Sequence, residues 1–435
     1  MLPRGYYHYM RARRSYRLGR NELAELQRKR LRRALAHAYR TSPYYHDMLK
    51  RRSVDPQSVG LDGLARLPAM DKSTVLAAGA SLLSTRVKPA LSRKTTGTTG
   101  DRAEFFMDGR YIDIHWGLGF RRNWMAGIPF LAKGAQITLV ENDRWTYFGT
   151  KRTYPFKSVL GTVDAEMTMI RTVQIARGAR SIQEAARAMS RSKVSVLKGK
   201  GSLLVAIGRA MEQQGVEAAV EHIIAGAEVL YPATRRQLET IYRGRVTANY
   251  GSTEVGKIGG ECAAQSGVHV FTDYHIMEVL KGEEPASPGE EGEVTLTTMF
   301  NDSMPLVRYR TGDIATVSED EKCSCGSYLP RLKFIIGRKQ DLLLREDGIS
   351  LSPVPVVEFI DTLLGPVNYE LVQRRAGDFL LSTSVPVSRP AMGSIEAFLR
   401  SIVGGEVTIG LGEWEGVQVA AKYRPFRSAG LSPEA

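Results

Sequence analysis

Between about residue 95 and residue 300, short apolar runs rich in β-branched residues, such as 136–140 and 245–250, alternate with amphipathic helical stretches such as 181–191 and 234–243. Alternation of this kind predicts an α/β body built on parallel strands. Segments 272–280 and 293–299 then read as consecutive strands around a turn-rich stretch, which predicts a hairpin-based β subdomain. After Gly337 the pattern changes. Strands over 368–375 and 379–386 flank the Ala376-Gly377 turn, a helix covers 393–403, and further strands cover 406–409 and 416–421. That is the outline of a small α+β domain. Ahead of the body, residues 21–39 carry Leu23, Leu26, Leu31, Ala34 and Ala38 at helical spacing, with Asn21 as the expected N-cap.

The division expected from these patterns is a basic N-terminal arm and helix over 1–52, a large α/β domain with its β subdomain over 53–337, and a small C-terminal α+β domain over 338–435. Charge sharpens the first boundary. The 435-residue chain has a net charge of +14, yet residues 1–52 hold 15 Lys and Arg against 3 acidic residues, leaving only +2 for the remainder. The arm is therefore either a surface for an acidic partner (a carrier protein, nucleic acid or an anionic membrane) or the solvated face of a docking helix. Tyr6, Tyr7, Tyr9 and Tyr16 lie among its arginines, but no nucleic-acid-binding motif accompanies them, so nucleic acid is not the expected partner. No apolar run reaches the roughly 18 residues of a transmembrane helix. Three cysteines in the chain fit a reducing, cytoplasmic setting rather than a disulfide framework.

Four segments carry candidate chemistry. In Lys94-Thr95-Thr96-Gly97-Thr98-Thr99-Gly100, glycines let backbone N–H groups approach an anion while hydroxyls and Lys94 add donors and charge. The spacing is not that of a Walker A loop. Tyr250-Gly251-Ser252-Thr253-Glu254 follows a predicted strand, and ligands of open α/β sheets bind outside such ends. The same residues also suit a helix start capped by Ser252 or Thr253. Tyr309-Arg310-Thr311-Gly312-Asp313 holds a carboxylate in a glycine turn, suited to a pair of sugar hydroxyls. Gly337-Arg338-Lys339-Gln340-Asp341 marks the last domain boundary. The cysteines form a separate constellation. Cys262 and His269 precede Cys323-Ser324-Cys325, and two such pairs on separate loops can close a tetrahedral zinc site; the alternative is unrelated thiols and a surface histidine.

In order and separation these segments resemble the adenylate-forming superfamily of acyl-CoA synthetases and adenylation domains, and more narrowly its phenylacetate–CoA ligase branch, including relatives associated with capsular polysaccharide. Further matches are the stretch Ala38-Tyr39-Arg40-Thr41-Ser42-Pro43-Tyr44-Tyr45, the region from Gly267-Val268-His269 to Val279, and the run from Pro305 to Asp313. The resemblance implies ATP-dependent activation of a carboxylic acid, aryl or small, as an acyl-adenylate. Transfer would follow to CoA, a carrier-protein thiol or an amine. It implies that residues 95–100 hold the ATP β- and γ-phosphates, that Tyr250 packs on adenine, and that Thr253 contacts the α-phosphate. Glu254 would help bind Mg²⁺, Asp313 would bind the ribose with Arg338 nearby, and Gly226-Ala227-Glu228 would line the acyl and adenine pockets. His115 and Trp116 would help wall the acyl pocket, with core packing the stronger expectation for Trp116. The branch often carries cysteines at the positions of the zinc constellation. The family's small domain rotates about the boundary, which implies a hinge at 338–341.

Two departures stand out. Where the family has an aspartate two residues after the boundary arginine, this chain has Gln340, followed by Asp341. Where the terminal loop normally carries a lysine after its glycine, this chain has Leu431, and Lys422 lies upstream. The second departure leaves a non-catalytic or adenylate-using homologue as the alternative, acting through its basic arm.

Overall fold

The computed structural model describes residues 4–95, 102–129, 132, 134–137, 145–147, 182–190, 194–217, 219–365, 367–414 and 423–429. One eleven-stranded sheet dominates it. Gly134–Gln136, Val196–Gly199, His222–Gly226 and Arg245–Ser252 run parallel. Helices Gly201–Gln213 and Pro232–Tyr242 make crossovers between them, as the alternating pattern requires. From Arg245–Ser252 onward the sheet is antiparallel through Gly256–Glu261, Val268–Val270 and Arg331–Arg338, then through Tyr309–Val317, Glu291–Thr298 and His275–Lys281. The expected β subdomain thus extends the same sheet. The change from parallel to antiparallel falls at Tyr250 and its neighbours.

A second sheet sits at the C-terminal end in the order Thr408–Gly412, Asp378–Thr383, Tyr369–Arg375, Phe426–Ser428. Helices Val354–Leu364 and Arg389–Val403 share an apolar core with it, through Val356, Ile360, Leu371, Phe379, Leu399 and Phe426. Tyr231, from the loop before the helix Pro232–Tyr242, is buried in that same core. The expected strand at 416–421 lies outside the described residues.

The arm is helical and docked. Helix α1 covers Arg4–Ser15 and α2 covers Arg20–Thr41. The N-cap of α2 is Gly19 rather than the expected Asn21, because Glu22 reaches back 3.0 Å to the Gly19 N–H. Leu23, Leu31, Leu35 and Ala38 of α2 join the core that holds Val294 and Leu296 of the main sheet. Helix α1 lies on the helix Gly109–Met125 so closely that a Cβ on Gly117 would come within 2.7 Å of the His8 main chain. Beneath it Arg121 and Asp273 pair at 2.6 and 3.0 Å with neither side chain exposed, and Arg121 also donates to the Ala12 carbonyl at 3.0 Å. Ser15 donates to the same Asp273 carboxylate. Removing one partner of such a pair would leave a buried charge uncompensated, at a cost of about 3–5 kcal/mol.

Candidate active site

A cavity of about 400 Å³ opens where the parallel strands end, between the main sheet and the C-terminal unit. Its wall is built from Ala227, Glu228, Tyr250, Gly251, Asp313 and Arg338, together with Asp341, Tyr423 and Arg424. Six residues singled out in the sequence therefore converge on one space.

Each is held for a local reason. Asp313 pairs across the sheet with Arg338. Its carboxylate lies 3.0 Å from Arg338 Nε and accepts from the Tyr250 hydroxyl at 2.9 Å. Arg338 also donates to the Thr311 carbonyl at 2.8 Å. Burial works against the Arg338 charge, but Asp313 and then Glu254 outweigh it, so the guanidinium holds its proton more firmly than usual. Burial and the neighbouring Asp313 push the Tyr250 phenol far above its ordinary range, keeping it a neutral donor. Ala227 takes a left-handed backbone at φ 69°, turning the chain out of the strand His222–Gly226. Glu228 then accepts from the Ser202 N–H at 2.6 Å and the Ser202 hydroxyl at 3.0 Å. Burial raises its proton affinity, and the Ser202 bonds oppose that rise.

Residues 253–255 form the turn between the antiparallel strands Arg245–Ser252 and Gly256–Glu261, so Ser252 and Thr253 start a strand turn and not a helix. Glu254 is 8% exposed within that turn, and Thr253 is half-buried. Gly256 has φ 78°, and a Cβ there would sit 2.0 Å from the Tyr111 hydroxyl and 2.8 Å from His115 Nδ1. Tyr111 and His115, stacked at 5.5 Å, thus back the turn that carries Glu254. Trp116 instead packs with Tyr9 and Phe120 beneath α1, which agrees with the core role expected for it. Lys94 ends the strand Leu91–Lys94 and is exposed; Thr95 is buried, its N–H bonded to the Ala103 carbonyl at 3.0 Å. Thr96, Gly97, Thr98, Thr99 and Gly100 lie outside the described residues, as do Lys422 and Leu431.

Sequence reasoning missed the contribution of the terminal segment. Arg424 lies 3.0 Å from Asp341, and the Tyr423 main chain bonds to the Glu228 carboxylate. Arg235 also escaped notice: it grips Glu261 with two bonds of 2.8 Å on the same cavity wall. The available signal was the terminal-loop resemblance, which drew attention to the absent lysine rather than to the cation already present.

On the other face of the antiparallel strands, ligand atoms of Cys262, His269, Cys323 and Cys325 all lie within 4.8 Å of one another. Cys262 and Cys323 sulfurs are 3.8 Å apart, and Cys325 is 3.5 Å from His269 Nε2. Three thiols and an imidazole at this spacing match the donor set of a structural zinc centre. Burial pushes the Cys262 thiol up to about 12. Burial also resists ionisation of Cys323, but bonds from Ser266 and from the Cys325 and Cys262 neighbours bring it down to about 7. Burial, followed by Arg331, lowers His269 to about 4, so its imidazole is neutral as a ligand must be. Tyr16 of the arm reaches this cluster, its hydroxyl 2.8 Å from the Cys325 sulfur.

No family model matches the chain. It is 26% identical over 372 residues to the phenylacetate-coenzyme A ligase of Thermus thermophilus, covering 83% of this chain and 80% of that one. Among solved structures it is similar to 2-hydroxyisobutyryl-CoA ligase in the postadenylation state, with TM-score 0.77, 15% identity, and coverage of 96% of this chain and 91% of that one. The same ligase in its thioesterification state gives TM-score 0.64 at 16% identity, with coverage of 96% and 91%. Motif order, site convergence and these likenesses agree: the chain is an adenylate-forming ligase, similar to the phenylacetate–CoA ligases.

Proposed function

We propose that this ligase activates an aryl or other small carboxylic acid with ATP and transfers the acyl group to CoA. The observation that carries the reading is Asp313, held between the Tyr250 hydroxyl and Arg338 on the cavity wall. A fixed carboxylate there suits the two hydroxyls of a ribose, and Tyr250 suits the face of a purine. In the first half-reaction a carboxylate oxygen of the acid attacks the α-phosphorus of ATP. The bond from that phosphorus to the bridging oxygen breaks, and pyrophosphate leaves. Thr253 and residues 95–100, with Lys94, would donate to the phosphates. Glu254 would hold Mg²⁺, which supplies charge neutralisation to the phosphates when bound. In the second half-reaction the CoA sulfur attacks the acyl carbon, its proton is lost, and AMP departs as the acyl–oxygen bond breaks. CoA is favoured as acceptor by the likeness to CoA ligases.

The reading includes a working division near residues 337–338, with the C-terminal unit turning between the half-reactions. The link between Arg424 and Asp341 joins the terminal segment to that boundary. The Cys262, His269, Cys323 and Cys325 cluster would hold zinc as a structural staple. Acid-dependent exchange of pyrophosphate into ATP tests the activity.

A further inference from the structure

Docking accounts for one face of the basic arm and leaves the other in water. On α1 the buried side is Gly5, Tyr9, Ala12 and Ser15. The outward side presents Arg4, Tyr7, Met10, Arg11 and Arg14, all exposed, and the exposed Arg17 follows in the turn after the helix. At helical spacing these five helix residues span less than half the circumference, and α1 contains no acidic residue. Arg4 lies 3.9 Å from Asp113 and Arg17 sits 5.8 Å from the Trp124 ring centroid, but among the described residues no carboxylate pairs with Arg11 or Arg14. Tyr7 is 55% and Met10 44% exposed, one turn apart, amid these guanidiniums. The Arg11 guanidinium lies 5.7 Å from the Tyr7 ring centroid and donates to its hydroxyl at 3.3 Å.

We propose that this outward face of α1 is a docking surface for an anionic phospholipid membrane. The argument is charge complementarity joined to apolar content. Unpaired arginines on one rigid face are drawn to anionic headgroups, each contributing independently near the surface. An aromatic ring and a thioether set among them can enter the headgroup boundary, where tyrosine is favoured. A plain polyanion site would make no use of Met10. Because the inner face of α1 is fixed through Ser15 and Arg121 to Asp273, the surface is presented as a preformed face that needs no folding on contact. The helix lies on the bilayer; no helix among the described residues is long and apolar enough to cross one. Two apolar side chains insert weakly, so binding is reversible and salt-sensitive.

The test is co-sedimentation of the full chain with vesicles of phosphatidylcholine alone, and with vesicles in which about one third is phosphatidylglycerol. Arg11→Glu with Arg14→Glu is one variant, Tyr7→Ser with Met10→Ser the other, and thermal melts confirm that both fold. The proposal expects binding to the anionic vesicles only, weakened by salt, reduced about tenfold or more by the charge reversals and about threefold to tenfold by the serine pair. Absence of binding to anionic vesicles overturns it. So does binding that neither variant reduces. Tighter binding to single-stranded RNA, unaffected by the serine pair, overturns it in favour of a nucleic-acid surface.

Discussion

The Arg424 guanidinium lies 3.0 Å from the Asp341 carboxylate, both on the wall of the cavity that also holds Tyr250 and Asp313. It ties the terminal segment to the turn just past Arg338. Their side chains are 27% and 13% exposed, so water screens the pair only in part. Arg424→Ala should slow pyrophosphate exchange by about tenfold and speed proteolysis near residue 341, with a pair coupling of about 1 kcal/mol in a double-mutant cycle. The expectation from the resemblance is a lysine where this chain has Leu431. If that loop still meets the phosphates, Leu431→Lys should raise exchange; an unchanged rate would assign the cation's role to another group.

Tyr250 and Asp313 give a graded prediction. Tyr250→Phe keeps the ring but removes the 2.9 Å bond to Asp313, and should weaken nucleotide binding by about threefold to tenfold. Asp313→Ala also strands the Arg338 charge and should weaken it by about a hundredfold, read by calorimetry with ATP or AMP.

Legibility of the fold followed periodicity. The regular apolar spacing of 245–250 predicts a strand and that of 234–243 a helix, and both exist with bounds shifted by one or two residues. Local propensity favours Asn21 as N-cap, but the bond from the Gly19 N–H to Glu22 moves the cap to Gly19. For the site, Tyr250 and Arg338 are legible because they lie at or near strand ends, and Asp313 because it follows Gly312, which at φ 74° makes an irregularity within the strand Tyr309–Val317 instead of the expected turn. Arg424 is not. Its importance comes from a partner 83 positions away, a pairing that no local pattern encodes. The docking of α1 was hidden likewise, since Asp273 lies 152 positions from Arg121.

The metal reading predicts about one zinc per chain by elemental analysis. Binding should release protons, since Cys262 and Cys323 carry thiols up to about 12 and near 7 in its absence. Chelation or Cys262→Ser should lower the melting temperature. Tyr16→Phe should retain the metal but make Cys325 react faster with thiol reagents, because its 2.8 Å partner is lost. A chain that takes up no zinc would contradict the assignment.

Stability should depend on pH through Asp361 in the helix Val354–Leu364. Burial raises its pKa from 3.8 to about 6, against opposing contributions from Tyr369 and Arg236. Between those values the folded chain binds the proton that the unfolded chain has lost. The stability from this group is therefore greatest below the lower value and falls as pH rises through about 6. Asp361→Asn removes that charge. It should melt a few degrees higher than the parent above this window, with the gap closing as pH falls toward 4. A gap that does not change with pH would show that Asp361 carries no such shift.

The central claim is carboxylate activation at the cavity walled by Tyr250, Gly251 and Asp313, with the turn that bears Glu254 following directly after Gly251. Its most direct test is ATP–pyrophosphate exchange across a panel of aryl and small aliphatic acids, with Glu254→Gln measured alongside. Acid-dependent exchange with at least one acid, lost in the folded Glu254→Gln variant, is the predicted result. No exchange with any acid, together with no binding of ATP or AMP, would contradict it.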